Sequence, residues 1–301
     1  MSQKNKAILA VLIANFFFGT SVIAVKHVTP LLITPIAFTA IRVVGSAILF
    51  WLAYAMKPIK TPFTKNDYYI LIICAITGIS MNQSFSIKGM SLTSPIHASL
   101  LILTTPMVIT IFASVFLKEH LGMNKIMGIL LGISGGILLI FSRDISAINH
   151  GDQTLGDLFV VLGAISYSAY VILMKPIAAK FSSSAILKWV FLIAAFISLP
   201  LGWHDLTIVQ WERFDTLSWF CLSYSVIGAT FIAYRLMNYG ISKLEASVAG
   251  SFIYSNPFFA TIASMFILNE KLTFTKIAAA TLIFGGVFLA NYKKREIARI
   301  Q

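Results

Sequence analysis

An imidazole, a guanidinium and a scatter of carboxamides stand inside apolar runs where such groups are costly. His97 follows Ser94 and Pro95, a good capping and first-turn pair for a helix. There it can ligate a substrate, accept a proton, or hydrogen-bond structurally near an interface. At helical spacing His97, Leu101 and Thr104 share one face. Thr104 and Thr105 precede Pro106, just as Tyr254, Ser255 and Asn256 precede Pro257, with Phe252 on the same face as Ser255. A proline inside a helix frees a carbonyl and often kinks the rod, leaving backbone available to a ligand. Asn15, Asn82, Gln83, Ser86, Tyr167, Tyr170, Tyr234 and Asn238 add further amide, hydroxyl and aromatic groups. Together these residues form a candidate substrate-binding set. The competing reading is that they only tie neighbouring helices together; the recurrence of polar groups before both prolines favours a cavity.

Other charged residues read differently. Arg42 lies about eight residues into its apolar run, roughly 12 Å at 1.5 Å per residue. It can bind a substrate carboxylate or hold helix-end carbonyls. Arg235, near the end of its run, can snorkel. Glu119 and Glu270 each stand 13 residues after a proline, in turns where a carboxylate caps the next helix. Ser242 and Glu245 read as a capping box. No Asp or Glu falls in the middle of an apolar run, so a proton-driving carboxylate is not expected. No phosphate-cradling glycine loop and no His/Cys spacing for a metal occurs, so neither ATP, a metal nor another cofactor is expected.

The elements that must hold these groups are membrane helices. Of 301 residues, 58% are hydrophobic and 11% charged, with mean hydropathy +0.86; soluble chains carry about 25% charge. Runs of about twenty apolar residues cross a bilayer. Ten emerge, near 7–25, 34–56, 68–87, 94–117, 125–141, 157–174, 186–203, 217–239, 244–268 and 276–292. The net charge of +12 fits basic cytoplasmic loops better than nucleic acid, since no basic helix face or nucleic-acid motif is present. With both termini inside, 15 of 23 Lys+Arg face the cytoplasm and 6 the exterior. Cys74 and Cys221 lie in apolar runs without partners.

Sliding the chain by 151 residues lays the second half on the first. Gly89 meets Gly240, Pro106 meets Pro257, Glu119 meets Glu270, Lys125 meets Lys276, and Gly135 meets Gly286. A shift of 149 aligns the first runs, Lys26 on Lys175. The equivalent of the N-terminal run is therefore mid-chain, and the first run reads as a transmembrane helix instead of a cleaved signal. Five spans per unit is odd, so the copies cross in opposite senses, as inverted repeats with a shared site near mid-depth. The expected fold is an all-α integral membrane protein of ten transmembrane helices in two five-helix repeats, 1–150 and 151–301.

The sequence Pro106, Leu117-Lys118-Glu119-His120-Leu121, Gly128, Gly132, Gly135 resembles the EamA domain of the drug/metabolite transporter superfamily. Its second copy reads Pro257, Leu268-Asn269-Glu270-Lys271-Leu272, Gly285-Gly286, with Ala279 and Ile283 replacing two glycines. Asn15 to Ser21 and Arg42 also match that family's opening spans, where an arginine is usual, which inclines Arg42 to a structural role. The resemblance implies ten helices and export of amino acids or similar metabolites across a bacterial inner membrane. The expected partners are a small-molecule substrate and the lipid bilayer, with the protein a monomer or weak dimer. A multidrug or nucleobase permease is the alternative. A membrane enzyme would need an Asp/His/Ser set at one interface, which the spacing does not assemble.

Overall fold

A chain in hydrocarbon must satisfy its backbone within each crossing segment, so the apolar runs become helices. The computed structural model describes residues 3–56, 61–116, 122–141, 153–178, 180–243, 255–269 and 271–291, and no strand occurs among them. The helices are α1 Gln3–Val28, α2 Pro35–Met56, α3 Lys65–Leu92, α4 Pro95–Phe116, α5 Met123–Phe141, α6 Gln153–Ala178 and α7 Ser183–Thr207, followed by α8 over 216–243, α9 Ser255–Ile267 and α10 Phe274–Asn291. Seven of them, α1–α4 and α6–α8, are long and apolar enough to cross a membrane; α5 and α10 carry shorter apolar cores, Ile126–Leu138 and Phe274–Gly286. Large apolar side chains such as Phe116, Phe141, Phe196 and Phe266 are exposed on the perimeter. Lipid, not water, is the solvent for such a surface.

The principal contacts pair α1 with α8 and α9, α3 and α4 with α6, α2 with α7, and α5 with α10. Exchanging the first five helices for the last five returns the same pairs. Glycines make the closest of these approaches. A Cβ on Gly89 would meet Val160 and the Gly156 carbonyl, while one on Gly240 would meet Val11 and the Ala7 carbonyl. The 151- and 149-residue shifts interchange these two contacts. Likewise, a Cβ on Gly135 would lie 2.9 Å from the Ala279 carbonyl, and one on Gly286 would lie 2.5 Å from the Gly128 carbonyl and the Gly132 nitrogen. Ala279 and Ile283, which replace glycines in the second copy, therefore still permit close α5–α10 contact. Because the obstacle at Gly286 is backbone, Gly286→Val should cost at least the 1–3 kcal/mol typical of overpacking. We expect a lower melting temperature in detergent; an unchanged one would contradict this interface.

Caps and helix breaks also recur. Thr64 caps α3 reciprocally with Asp67, whereas Asp215 caps α8 by accepting from the Ser218 N–H at 2.8 Å and its hydroxyl at 2.5 Å. The same two positions thus exchange carboxylate and hydroxyl. The Ser218 bonds, side chain first, hold the Asp215 carboxyl below the usual carboxylate range, so this cap persists at neutral pH and is lost as pH falls through that lowered pKa. Ala75–Met81 in α3 and Tyr224–Ile232 in α8 are π-helical, and their ends differ by 151 residues. Such segments are rare and widen the helix locally, leaving carbonyls for other donors. Ser166 donates to the Thr77 carbonyl, Ser46 to that of Val226 and Arg42 to that of Ala229. Helix α4 breaks at Leu103–Thr104, ahead of Pro106, and restarts at Thr105. Lys188 is buried in α7, its ammonium 3.2 Å from the Tyr54 ring centroid and near Trp51 and Trp189.

Candidate substrate chamber

The π segments and the α4 break turn polar groups inward. Directly after the first π segment come Asn82, Gln83 and Ser86; directly after the second come Tyr234 and Met237. These residues line a chamber with about 910 Å³ of empty space, open solvent included. Thr105 from the restarted α4 and its repeat-equivalent Asn256 from α9 lie on the same wall system. Asn15, Phe18, Gly19 and Ser21 come from α1, Arg42 from α2, Ser99 from the first part of α4, and Ala164 and Tyr167 from α6. Both halves of the chain therefore build it.

Several polar wall groups are held by hydrogen bonds. Asn15 donates its Nδ2 to the Val11 carbonyl at 2.8 Å, leaving Oδ1 buried without a partner among the described residues. Asn256 Oδ1 is in the same condition. Asn82 Nδ2 donates to the Gly163 carbonyl at 2.9 Å. The Tyr234 ring packs edge-on against Phe18 and Phe191. Arg42 is 6% exposed; its Nε donates to Thr230 Oγ1 and its Nη2 to the Ala229 carbonyl at 3.2 Å.

Of the candidate set, Asn15, Asn82, Gln83, Ser86, Tyr167, Tyr234 and Asn256 meet at this chamber. Other candidates stand elsewhere. Leu101 is fully buried in an apolar cluster that draws on α1–α6, α8 and α10. Thr104 bonds the Leu101 carbonyl at 2.7 Å. Tyr170 packs beside Gly78 in a second cluster. Asn238 donates back to the Tyr234 carbonyl at 2.9 Å, and Ser255 begins the described part of α9. Phe252 lies outside the described residues, as do Glu119, Glu245 and Glu270. Thr105, one of the polar groups before Pro106, does lie on the wall; Ser21 and Ser99 were missed, and Arg42 was inclined to a structural role.

His97 also stands apart from the wall. It is 1% exposed, with Nδ1 3.2 Å from Asp157 Oδ2 and 3.1 Å from Gln153 Nε2. Asp157 is fully buried, and its Oδ1 accepts from the Thr93 hydroxyl. Lys26 closes the same corner, donating to the Ser91 and Thr93 carbonyls at 3.1 and 2.9 Å. A His–Asp pair does therefore assemble at one end of the bundle. It is sealed between the α3–α4 junction and the first turns of α6, as a helix-to-helix tie. No cluster of three or more metal-ligating side chains occurs among the described residues.

The EamA-like transporter family matches residues 5–141 and again 154–292. The chain belongs to this family. An EamA-like chain is a multi-pass membrane protein, in keeping with the apolar perimeter described above. It is 24% identical over 253 residues to "Uncharacterized transporter YetK" of Bacillus subtilis (strain 168), covering 84% of this chain and 77% of that one. It is 26% identical to "Uncharacterized transporter sll0355" of Synechocystis sp., covering 96% and 91% respectively. Similarity extends to "WAT1-related protein At3g02690, chloroplastic" of Arabidopsis thaliana, at 24% identity over 94% of this chain and 69% of that protein. A protein of known crystal structure superposes with a TM-score of 0.66 over 95% of this chain and 96% of its own at 18% identity, a likeness of fold.

Proposed function

We propose that this EamA-like protein is a secondary transporter that exports small organic metabolites, amino acids or similar neutral or zwitterionic solutes, from the bacterial cytoplasm. In this reading ten transmembrane helices form two inverted five-helix repeats with both termini cytoplasmic, and alternating access comes from one repeat rocking against the other. The observation that carries it is the chamber: a largely apolar cavity walled by both halves, with polar groups that include Asn82, Gln83 and Tyr234 just after the two π segments. The self-exchanging helix pairs and the two ranges matched by the family support the repeat. Walls of apolar, amide, hydroxyl and aromatic groups with one guanidinium and no carboxylate disfavour a bare cation, which would lack a counter-charge there, and leave neutral or zwitterionic solutes as the better fit.

The test is uptake of labelled solutes by proteoliposomes, combined with cysteine accessibility. In a Cys74→Ala, Cys221→Ala background, single cysteines at Asn15, Gln83, Tyr234 and Asn256 should react with a small polar thiol reagent and be protected by substrate. Cysteines at His97 and Leu101 should stay unlabelled. No saturable uptake of any solute, or the reverse labelling pattern, would defeat the reading.

A further inference from the structure

Lys26 stands half-buried in the last turn of α1, and its ammonium crosses to the end of α3. It donates to the Ser91 carbonyl at 3.1 Å and to the Thr93 carbonyl at 2.9 Å. Both helices lead to this contact straight from the chamber. Val22, one turn before Lys26, and Met90, one turn before Thr93, are wall residues. Yet α1 packs chiefly with α8 and α9, and α3 with α6. The two helices thus belong to different packed sets on either side of the chamber, and Lys26 joins those sets just beyond its wall.

The chemistry of that bond suits a contact that is made and broken in turn. Its acceptors are carbonyls at the C-terminal end of a helix, left over by the end of the ladder and on the negative side of the helix dipole. When the helices part, water takes over both the carbonyls and the ammonium, so the net cost is modest. The His97–Asp157 tie is different in kind, since it joins α4 to α6 within one set and is closed to solvent. The repeat separates the two in the same way. A shift of 149 takes Lys26 to Lys175, in the last turn of α6, and a shift of 151 takes Ser91 to Ser242, in the last turn of α8. Helices α6 and α8 again belong to opposite sets, and inverted repeats put this second pair at the other end of the bundle. By the same shifts His97 and Asp157 fall on Val248 and Ile8, so the tie has no counterpart.

We propose that Lys26 is the latch of the outer mouth of the chamber, holding α1 to the end of α3 while that mouth is shut, and that its repeat-mate Lys175 takes the same part between α6 and α8 at the inner mouth. One latch is made while the other is released. In the structure the outer latch is made. This rests on the transport reading, and it makes the α1–α8–α9 and α3–α4–α6 sets, instead of whole repeats, the bodies that part.

The test uses the full chain carrying Cys74→Ala, Cys221→Ala and Met90→Cys, in right-side-out and in inverted bacterial membrane vesicles, labelled with a membrane-impermeant methanethiosulfonate. In right-side-out vesicles Lys26→Gln should speed labelling of the Met90 position about tenfold, the usual scale for losing a hydrogen bond from a charged group. Lys26→Arg, which keeps the charge and the donors, should label like the parent. Lys175→Gln should slow labelling from this side, and the double variant should return toward the parent, because the two biases oppose each other. A folded Lys26→Gln variant that labels like the parent overturns the proposal, as does a Lys175→Gln variant that labels faster from outside. Faster labelling of Lys26→Gln in inverted vesicles alone overturns the assignment of Lys26 to the outer mouth. Where Lys26→Gln is too poorly made to score, cysteines placed at Lys175 and Ser242 are joined by a short bifunctional thiol reagent before labelling. That bridge should hold the inner mouth shut and raise labelling from outside, and unchanged labelling overturns the proposal. Labelling needs no solute, so its failure is told apart from that of the transport reading, which falls if the parent gives no saturable uptake in proteoliposomes.

Discussion

Asp157→Ala should destabilise the bundle more than any single change at the chamber wall. The substitution strips His97 and Thr93 of their shared acceptor in a corner closed to solvent. Leaving a buried polar group without its hydrogen-bond partner commonly costs about 1–3 kcal/mol, and more where a charge is involved. Two considerations set the size here. Polar contacts in membrane proteins average nearer 0.6 kcal/mol, since the unfolded chain also finds partners in lipid or detergent. This carboxylate, however, takes two side-chain bonds at once, and Gly156 beside it leaves no room for neighbours to relax. A Cβ there would lie 2.9 Å from the Thr93 nitrogen. We therefore expect the lower end of the larger range, read as a fall in detergent melting temperature and in purified yield. Asp157→Asn, which keeps an acceptor and the shape, should recover much of the loss. In a double-mutant cycle with His97→Ala, the second substitution should add little to the first. Full additivity, or an Asp157→Ala protein that melts like the wild type, would show that the pair is not a tie.

How far the architecture could be read beforehand depends on what kind of signal each feature leaves. Glycines at matched offsets have a steric cause: the 151-residue shift paired Gly89 with Gly240, and the structure sets the first against Val160 and the second against Val11. Pro106 has an equally local effect, and α4 does break just before it. The π segments were invisible because an extra residue in an apolar helix changes neither composition nor length appreciably. Their consequence was nevertheless half visible, as the polar triplet Asn82, Gln83 and Ser86.

The chamber wall was harder. Helical periodicity says which residues share a face, but not which face turns inward. That is why Leu101 and Thr104, on the face of His97, lie outside the wall while Ser99 and Thr105 lie on it. His97 was weighed without its partner, since Asp157 is 60 residues away and counted as the end of another span. Arg42 was weighed for a substrate carboxylate or for helix-end carbonyls, and the family resemblance inclined it to structure; its bond to the Ala229 carbonyl became evident only once α8 had been placed against it.

Neither five-helix half should fold alone, and the two should reassemble when made as separate chains. A shared chamber would by itself make a half inactive. Helix contacts make the stronger demand. The extensive pairs α1–α8, α1–α9, α2–α7, α3–α6, α4–α6 and α5–α10 all join one half to the other. A fragment ending at Asp152 would lose all of these and expose Gly89, Arg42 and Gly135 to lipid. Helices in a bilayer associate through close contact of small residues and interhelical hydrogen bonds, with little hydrophobic drive to replace a missing partner. The fragment should therefore be made at low yield, aggregate in detergent and give no saturable transport. Cutting the chain between residues 141 and 153 and co-expressing both pieces should restore a stable complex and uptake, because those same pairs re-form without a covalent link. Gly286→Val in the second piece should weaken co-purification, since it obstructs α5–α10. A monodisperse first half, or one that transports by itself, would mean that the helix pairs do not hold the bundle together in the way described.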